Sequence, residues 1–203
     1  MKELVLEVDD KKLSFKYVPL LFKTEEETNL FAKKNNKTVR ETIAHRRYQS
    51  LKDQCEQLYS SYLDVPLGEF LNMLKQKRDL FYQSFLNPYG DLTYSQFFIQ
   101  DPEIIHDSGI YAYTVEGELV YIGRCLDAYK KRVNSGYGRI APKNCYKDGQ
   151  STNCHLNALI TEAKHTQKIG FYTLSLENID EIKELEVQMI GEYSPCWNKQ
   201  LKV

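Results

Sequence analysis

The stretch GIYAYTVEGELVYIG, residues 109–123, decides the reading of the fold. Ile110 to Val115 and Leu119 to Ile122 are two β-rich runs, and Glu116-Gly117 between them is a turn in which glycine supplies the positive φ. A hairpin is predicted. Alternation along its first strand sets Tyr111 and Tyr113 on one face and Ile110 and Ala112 on the other. Three tyrosines inside this short segment, with Tyr129 just beyond, admit two readings. They are the packed face of an ordinary hairpin, or their hydroxyls carry chemistry.

Downstream of the hairpin the pattern is α/β. Asp127 can cap a short helix through about Asn134, and a long polar loop rich in Gly, Pro and Asn follows, of a length that is uncommon and often functional. Leu156, Leu159, Ile160 and Ala163 mark a helix, IGFYTLSL from Ile169 a strand, and Asn178 or Asp180 the start of a helix through about Tyr193, stopped before Pro195. Upstream, LVLEV and KLSFKYV read as a strand pair turning at Asp9-Asp10. Thr24-Glu25-Glu26-Glu27 has the form of a capping box opening a helix through about Lys34. A second helix is expected from about Thr38, with Leu51, Cys55, Leu58 and Tyr62 at helical spacing. A third, after Pro66, carries Leu67, Phe70, Leu71, Leu74, Phe81 and Phe85 in one stripe until Asn87-Pro88-Tyr89-Gly90 breaks it. A change of composition near residue 100 divides the chain into a mostly helical domain with a β-hairpin, residues 1–100, and a small α/β domain, residues 101–203. The fold class is α+β.

The 203 residues carry 27 Lys and Arg against 28 Asp and Glu, a net charge of −1 that gives no global signal for a polyanion. Its distribution says more: from Arg124 to Lys147 there are seven basic residues and one acid, Asp127. That segment is either a solvated loop or a phosphate-contacting one. No apolar run is long enough to span a bilayer, and the N-terminus lacks the apolar core of a secretory signal. Five cysteines without a CxxC pair point to reduced thiols and a cytoplasmic setting. Cys145, Cys154 and His155 lack the spacing of a zinc site. Lys33, Lys34, Lys37, Arg40, Arg46 and Arg47 are either a solvated face or a track along a DNA backbone.

Two helices carry a charge where an apolar residue is expected. In the last helix Ile182, Leu185, Met189, Ile190 and Tyr193 share an arc of about 140°, and Glu186 lies inside it while Glu181, Glu184 and Glu192 lie outside. A carboxylate on that face needs a partner or a metal. Arg132 similarly lies among Ala128, Tyr129 and Val133. It can pair with Glu186, or it can face a phosphate, which guanidinium grips with two parallel hydrogen bonds.

Together these pieces resemble the GIY-YIG nuclease family. GIY at 109–111 and YIG at 121–123 are similar to the two halves of its signature. KKRV at 130–133 is similar to its arginine helix, and ELEVQMIGEYSPCWN at 184–198 to its glutamate helix, with Glu186, Pro195 and Asn198 at matching intervals. The resemblance covers about residues 108–199 and implies a small α/β nuclease domain, a three-stranded antiparallel sheet with flanking helices; residues 1–100 carry no part of it and are expected to serve DNA recognition or dimerisation. Arg132 stands one residue further from Gly123 than is usual. Where many members have Tyr or His four residues after that arginine, this chain has Gly136, so either Tyr137 or His155 takes the role.

The resemblance implies a metal-dependent DNA endonuclease with a single Mg²⁺ or Mn²⁺. Glu186 is then the metal ligand, Arg132 the group that stabilises charge on the phosphate, Tyr111 the base and Tyr121 its positioning partner. Tyr137 completes the catalytic set, and Asn198 orients the site. Nucleic-acid contacts are expected from Arg124, Lys131, Arg139, Lys143, Asn153 and His155. A tyrosine can act as base only if its pKa of about 10 is lowered, as a nearby arginine and a metal would do. The implied setting is restriction-type defence. The alternatives are structure-specific repair, mobile-element cleavage, or a catalytically silent DNA- or partner-binding module. The near-neutral charge leaves room for a homodimer or a protein partner that delivers DNA; no membrane is expected as a partner.

Overall fold

The computed structural model describes residues 3–199. In chain order the elements are β1 (Glu3–Val8), β2 (Lys11–Tyr17), β3 (Leu21–Glu27), α1 (Val39–Ile43), α2 (Lys52–Leu58), α3 (Leu67–Gln76), β4 (Tyr94–Phe98), β5 (Gly109–Val115), β6 (Glu118–Cys125), α4 (Tyr129–Arg132), α5 (Ser151–Ala163), β7 (Ile169–Ser175) and α6 (Ile179–Tyr193), with short 3₁₀ turns between. The architecture is mixed α+β. Five strands form an antiparallel sheet in the order β1-β2-β7-β5-β6, and β3 and β4 form a separate pair. Among the described residues no helix is long and apolar enough to cross a membrane.

The chain divides into two compact units. The first takes the chain through Glu25, Ser95–Arg139 and the chain from Leu159; the second takes Glu26–Tyr94 and Ile140–Ala158. This differs from a division near residue 100 and from a three-stranded sheet. The reason is a strand pairing that sequence separation conceals: Lys16 stands opposite Thr173, and Tyr17 opposite Tyr172. Leu6, Val8 and Phe15 from the N-terminal hairpin share one buried cluster with Ile110, Ala112, Ile122, Tyr172, Ile182 and Met189. The hairpin thus completes the core under α6 and is no part of a helical domain.

The β5–β6 hairpin turns at Glu116-Gly117, both at positive φ (52° and 90°), the geometry that matches strand twist. Asn178 caps α6, its side chain accepting from the backbone N–H groups of Asp180 and Glu181. Two contacts finish the sheet. The Tyr193 hydroxyl bonds both the N–H and the carbonyl of Glu7 on β1, at 2.6 and 2.9 Å. The Trp197 N–H donates to the Val120 carbonyl of β6 at 2.9 Å.

The second unit is helical. Thr38 and Glu41 form a reciprocal capping box for α1. The long helices expected here are broken: His45 caps a 3₁₀ turn between α1 and α2, and Leu58 is exposed. The stripe after Pro66 is fully buried but kinked at Arg78, whose φ is 59°. Thr24 to Glu27 lies in β3 and caps nothing, because β3 is taken up by pairing with β4, and the Phe22 and Phe97 rings lie 5.3 Å apart. Tertiary pairing here overrides a local helix-start signal.

Candidate active site

The register of the hairpin explains Gly123. Tyr111 stands opposite Gly123 and Tyr113 opposite Tyr121, so all three tyrosines share one sheet face. A Cβ on Gly123 would lie 2.5 Å from both Cζ and Oη of Tyr111 and 2.8 Å from Cε1 of Tyr121. Only glycine lets the Tyr111 phenol lie across β6. Gly109 has φ +142°, and a Cβ there would meet the hydroxyl of Tyr129. That hydroxyl sits 3.0 and 2.8 Å from the carbonyl oxygens of Ile110 and Leu174, tying α4 to the sheet.

Arg132 closes over this face. Its Nε donates to the Tyr111 hydroxyl at 3.2 Å, and its guanidinium lies 5.5 Å from the centre of the Tyr137 ring. Tyr137 is wholly buried, its ring 5.9 Å from that of Tyr111 and 6.1 Å from that of Tyr113. The one-residue offset in the sequence has a backbone cause. After α4 the helix widens into a π turn, Val133–Tyr137, closed by an N–H to carbonyl bond from Gly138 to Val133 at 2.8 Å. A π turn absorbs one extra residue, so Tyr137, five residues after Arg132, takes the place that four would have reached. His155 does not take it: its ring packs on Tyr89 at 4.7 Å within the second unit.

Glu186 is half-buried on α6, while Glu184 is exposed. Its partner is Arg124, with Nη1 to Oε2 at 2.9 Å; Arg132 bonds Tyr111 instead. Burial raises the Glu186 carboxyl above the usual range, and Arg124 and then Arg132 oppose that rise. Burial also raises Tyr111 well above a free phenol, Tyr137 adds to the rise, and Arg132 opposes it. Tyr121 follows the same pattern, with burial first and Tyr111 next. The expected lowering of Tyr111 by its arginine is therefore outweighed by burial, and Tyr111 stands as a neutral phenol. It accepts from Arg132 and keeps its own hydrogen to donate. Arg132 is a guanidinium and stays charged, its Nε–H satisfied by the Tyr111 hydroxyl.

Asn198 bonds the backbone of β6. Its amide accepts from the Ile122 N–H at 3.0 Å and donates to the Ile122 carbonyl at 2.7 Å. It fixes the backbone between Tyr121 and Gly123 and so acts on the site through β6.

The expected phosphate contacts separate. Arg124 is partly exposed but paired with Glu186. Lys131 is exposed and pairs with Asp127, and Arg139 is exposed. Lys143 is exposed in the second unit. Asn153 and His155, also in that unit, are buried, and Asn153 bonds Gln150 at 2.7 Å; neither offers its side chain to a backbone. α5 begins at Ser151, inside the segment expected to be loop, and this is why both are inward. Among the described residues no three His, Cys, Asp or Glu gather as a metal cage, the Cys145, Cys154 and His155 set included. Glu186 offers one carboxylate here, with one oxygen already bonded by Arg124 at 2.9 Å. Mg²⁺ is commonly held by one or two carboxylates, with water and substrate phosphate supplying the rest. Arg124 was expected as a phosphate contact only; its pairing with Glu186 needs the register that sets Arg124 opposite Ile110, on the face that α6 covers.

No family model matches the sequence, and no curated protein matches it. Among solved structures, the chain is similar to bacteriophage T4 EndoII in mutant form, at 26% identity over 61% of this chain and 98% of the other, with a TM-score of 0.35. A TM-score so low carries no argument about fold or chemistry.

Proposed function

We propose that this chain is a DNA endonuclease that hydrolyses phosphodiester bonds with one divalent cation, Mg²⁺ or Mn²⁺, held at Glu186. One observation carries the reading. The Tyr111 phenol lies across Gly123 and accepts a hydrogen bond from Arg132, and a half-buried carboxylate, Glu186, pairs with Arg124 on β6 one residue beyond that glycine. The GIY and YIG phrases supply the glycine and both tyrosines of this arrangement.

In the reaction a water oxygen bonds to phosphorus, one P–O ester bond breaks, the water gives up a proton and the leaving oxygen takes one. Glu186 would hold the cation, which would supply Lewis acidity for the reaction when bound. Arg132 stabilises the charge that grows on the phosphate, and its low-dielectric surroundings strengthen that effect. Tyr111 orients the attacking water by hydrogen bonding, and the proton that the water loses goes to solvent; the raised pKa of the phenol argues against a standing phenolate. Tyr121, stacked on Tyr111 at 6.0 Å, and Tyr137 hold that phenol in place. Asn198 fixes the strand that carries Tyr121 and Gly123.

The test is cleavage of supercoiled plasmid. Wild-type protein should nick or cut in Mg²⁺ and stop in chelator. Glu186→Ala should be inactive, and Glu184→Ala should be close to wild type. Wild-type rates from Glu186→Ala would overturn the site. Duplex binding without any cleavage by the wild-type chain would favour a silent DNA-binding module. Discrete plasmid fragments would indicate restriction-type defence, and selective cutting of forked DNA would indicate repair.

A further inference from the structure

We propose that the second unit carries its own binding surface for the phosphate backbone of duplex DNA, made by Lys34, Lys37 and Lys143 around the ring of Tyr146. This rests on the endonuclease reading and adds a second DNA-contacting surface to it.

Several cations of this unit already have partners. Lys33 pairs with Glu27 at 2.7 Å, Arg40 with Asp64 at 2.8 Å, and the Arg47 guanidinium donates to the Lys147 carbonyl at 2.8 Å. Lys34, Lys37 and Lys143 are drawn together instead. Tyr146 is the joint: its hydroxyl donates to the Phe31 carbonyl at 2.9 Å across 115 residues of sequence. That bond brings the 3₁₀ turn Leu30–Lys33, which leads into Lys34, against the turn Pro142–Cys145, which carries Lys143. The Lys34 ammonium then lies 4.9 Å from the centre of the Tyr146 ring. The carboxylate nearby, Asp148, already accepts from the Tyr48 hydroxyl at 2.6 Å. Burial lowers Lys34 below the ordinary lysine range; Asp148 opposes that, and Lys37 and Lys143 lower it further. Lys34 therefore meets two like charges, Lys37 from its own stretch of chain and Lys143 from the turn that Tyr146 brings in. A polyanion relieves that repulsion, and a duplex presents one charge per about 1.7 Å of axis. The aromatic floor under Lys34 fixes one of the three in position.

The experiment measures binding of the full chain to a mixed-sequence duplex of about 30 base pairs in chelator, where no cleavage occurs, from 50 to 200 mM salt. Each phosphate contact contributes about 0.9 to the slope of log affinity against log salt. Lys34→Gln/Lys37→Gln/Lys143→Gln should flatten the slope by about 2.7, so the triple variant should lose about fortyfold less affinity than wild type across that range. Lys37→Gln/Lys143→Gln, which leaves the half-buried Lys34 in place, should flatten it by about 1.8. Lys33→Gln, whose cation is already paired, should leave it unchanged. An unchanged slope in both multiple variants overturns the surface, as does wild-type protein that binds phosphatidylserine vesicles but no duplex. Plasmid cleavage in Mg²⁺ by the same proteins separates the two readings. Cleavage with an unchanged slope removes the surface alone, whereas a flattened slope without cleavage removes the endonuclease reading and keeps the surface.

Discussion

Gly123→Ala tests the site at its narrowest point. The new methyl would lie 2.5 Å from Cζ and Oη of Tyr111, against an optimum of about 3.5–4.0 Å for carbon contacts, so the phenol must withdraw by about 1 Å. It has no free space to enter. Tyr111 is fully buried, with Tyr113, Tyr121, Tyr137 and Phe171 rings all within 6.3 Å of its own. Overpacking of this kind costs about 1–3 kcal/mol, which lowers the melting temperature by roughly 2–12 °C for a chain of this length. The 3.2 Å bond from Arg132 cannot survive the shift. A misplacement of about 1 Å is worth roughly a hundredfold in rate. Thermal melts by circular dichroism and initial rates of plasmid nicking measure the two effects separately. Since both substitutions act through one hydroxyl, adding Gly123→Ala to Tyr111→Phe should slow nicking little beyond Tyr111→Phe alone. A wild-type nicking rate from folded Gly123→Ala, or fully additive losses in the double variant, would refute the reasoning.

Tyr113→Phe keeps a wholly buried ring on the same strand face and removes only its hydroxyl, so it should leave nicking unchanged; a large loss of rate would give that hydroxyl a part in the chemistry. Asn198→Ala strips both partners from the Ile122 backbone and should cost about 1–3 kcal/mol together with much of the rate; a full rate would show that β6 holds its own geometry. Burial raises Tyr111, Tyr113, Tyr121 and Tyr137 well above the free phenol. The unfolded chain therefore loses these protons first, and their stabilisation, complete below about pH 10, is lost as pH rises toward the folded values. Absorbance at 295 nm should show these tyrosines ionising only with unfolding; smooth titration near pH 10 in the folded state would contradict their burial. A fragment of residues 101–203 lacks Leu6, Val8 and Phe15 and should show no cooperative melt; a wild-type melting temperature would separate the hairpin from the core.

Much of the site was legible in the chain. Alternation alone places Tyr111 and Tyr113 together, and helical phase singles out Glu186 over Glu184. What escaped depends on contacts across long separations or on a local departure from regular geometry. Nothing in KLSFKYV announces that Tyr17 will stand beside Tyr172, since an apolar alternation specifies a face and names no partner strand. The Thr24 capping signal loses to the pairing of β3 with β4. Tyr137 is out of phase for an α-helix and in place for a π turn. Helical phase predicts that Glu186 needs a counter-charge, but the partner, Arg124, is fixed by strand register and could not be read from the helix that carries Arg132.

The tail of α6 has a further consequence. β1 and β6 are the two outer strands of the five-stranded sheet, and an outer strand with free backbone groups is a template for self-association. Tyr193 occupies the backbone of β1 at Glu7, and Trp197 and Asn198 occupy that of β6 at Val120 and Ile122. A single span of six residues thus blunts both margins of the sheet. Loss of this span would remove no strand, yet it would open two sticky borders at once. The cost of shortening the chain there would be paid in solubility well before it registered as unfolding.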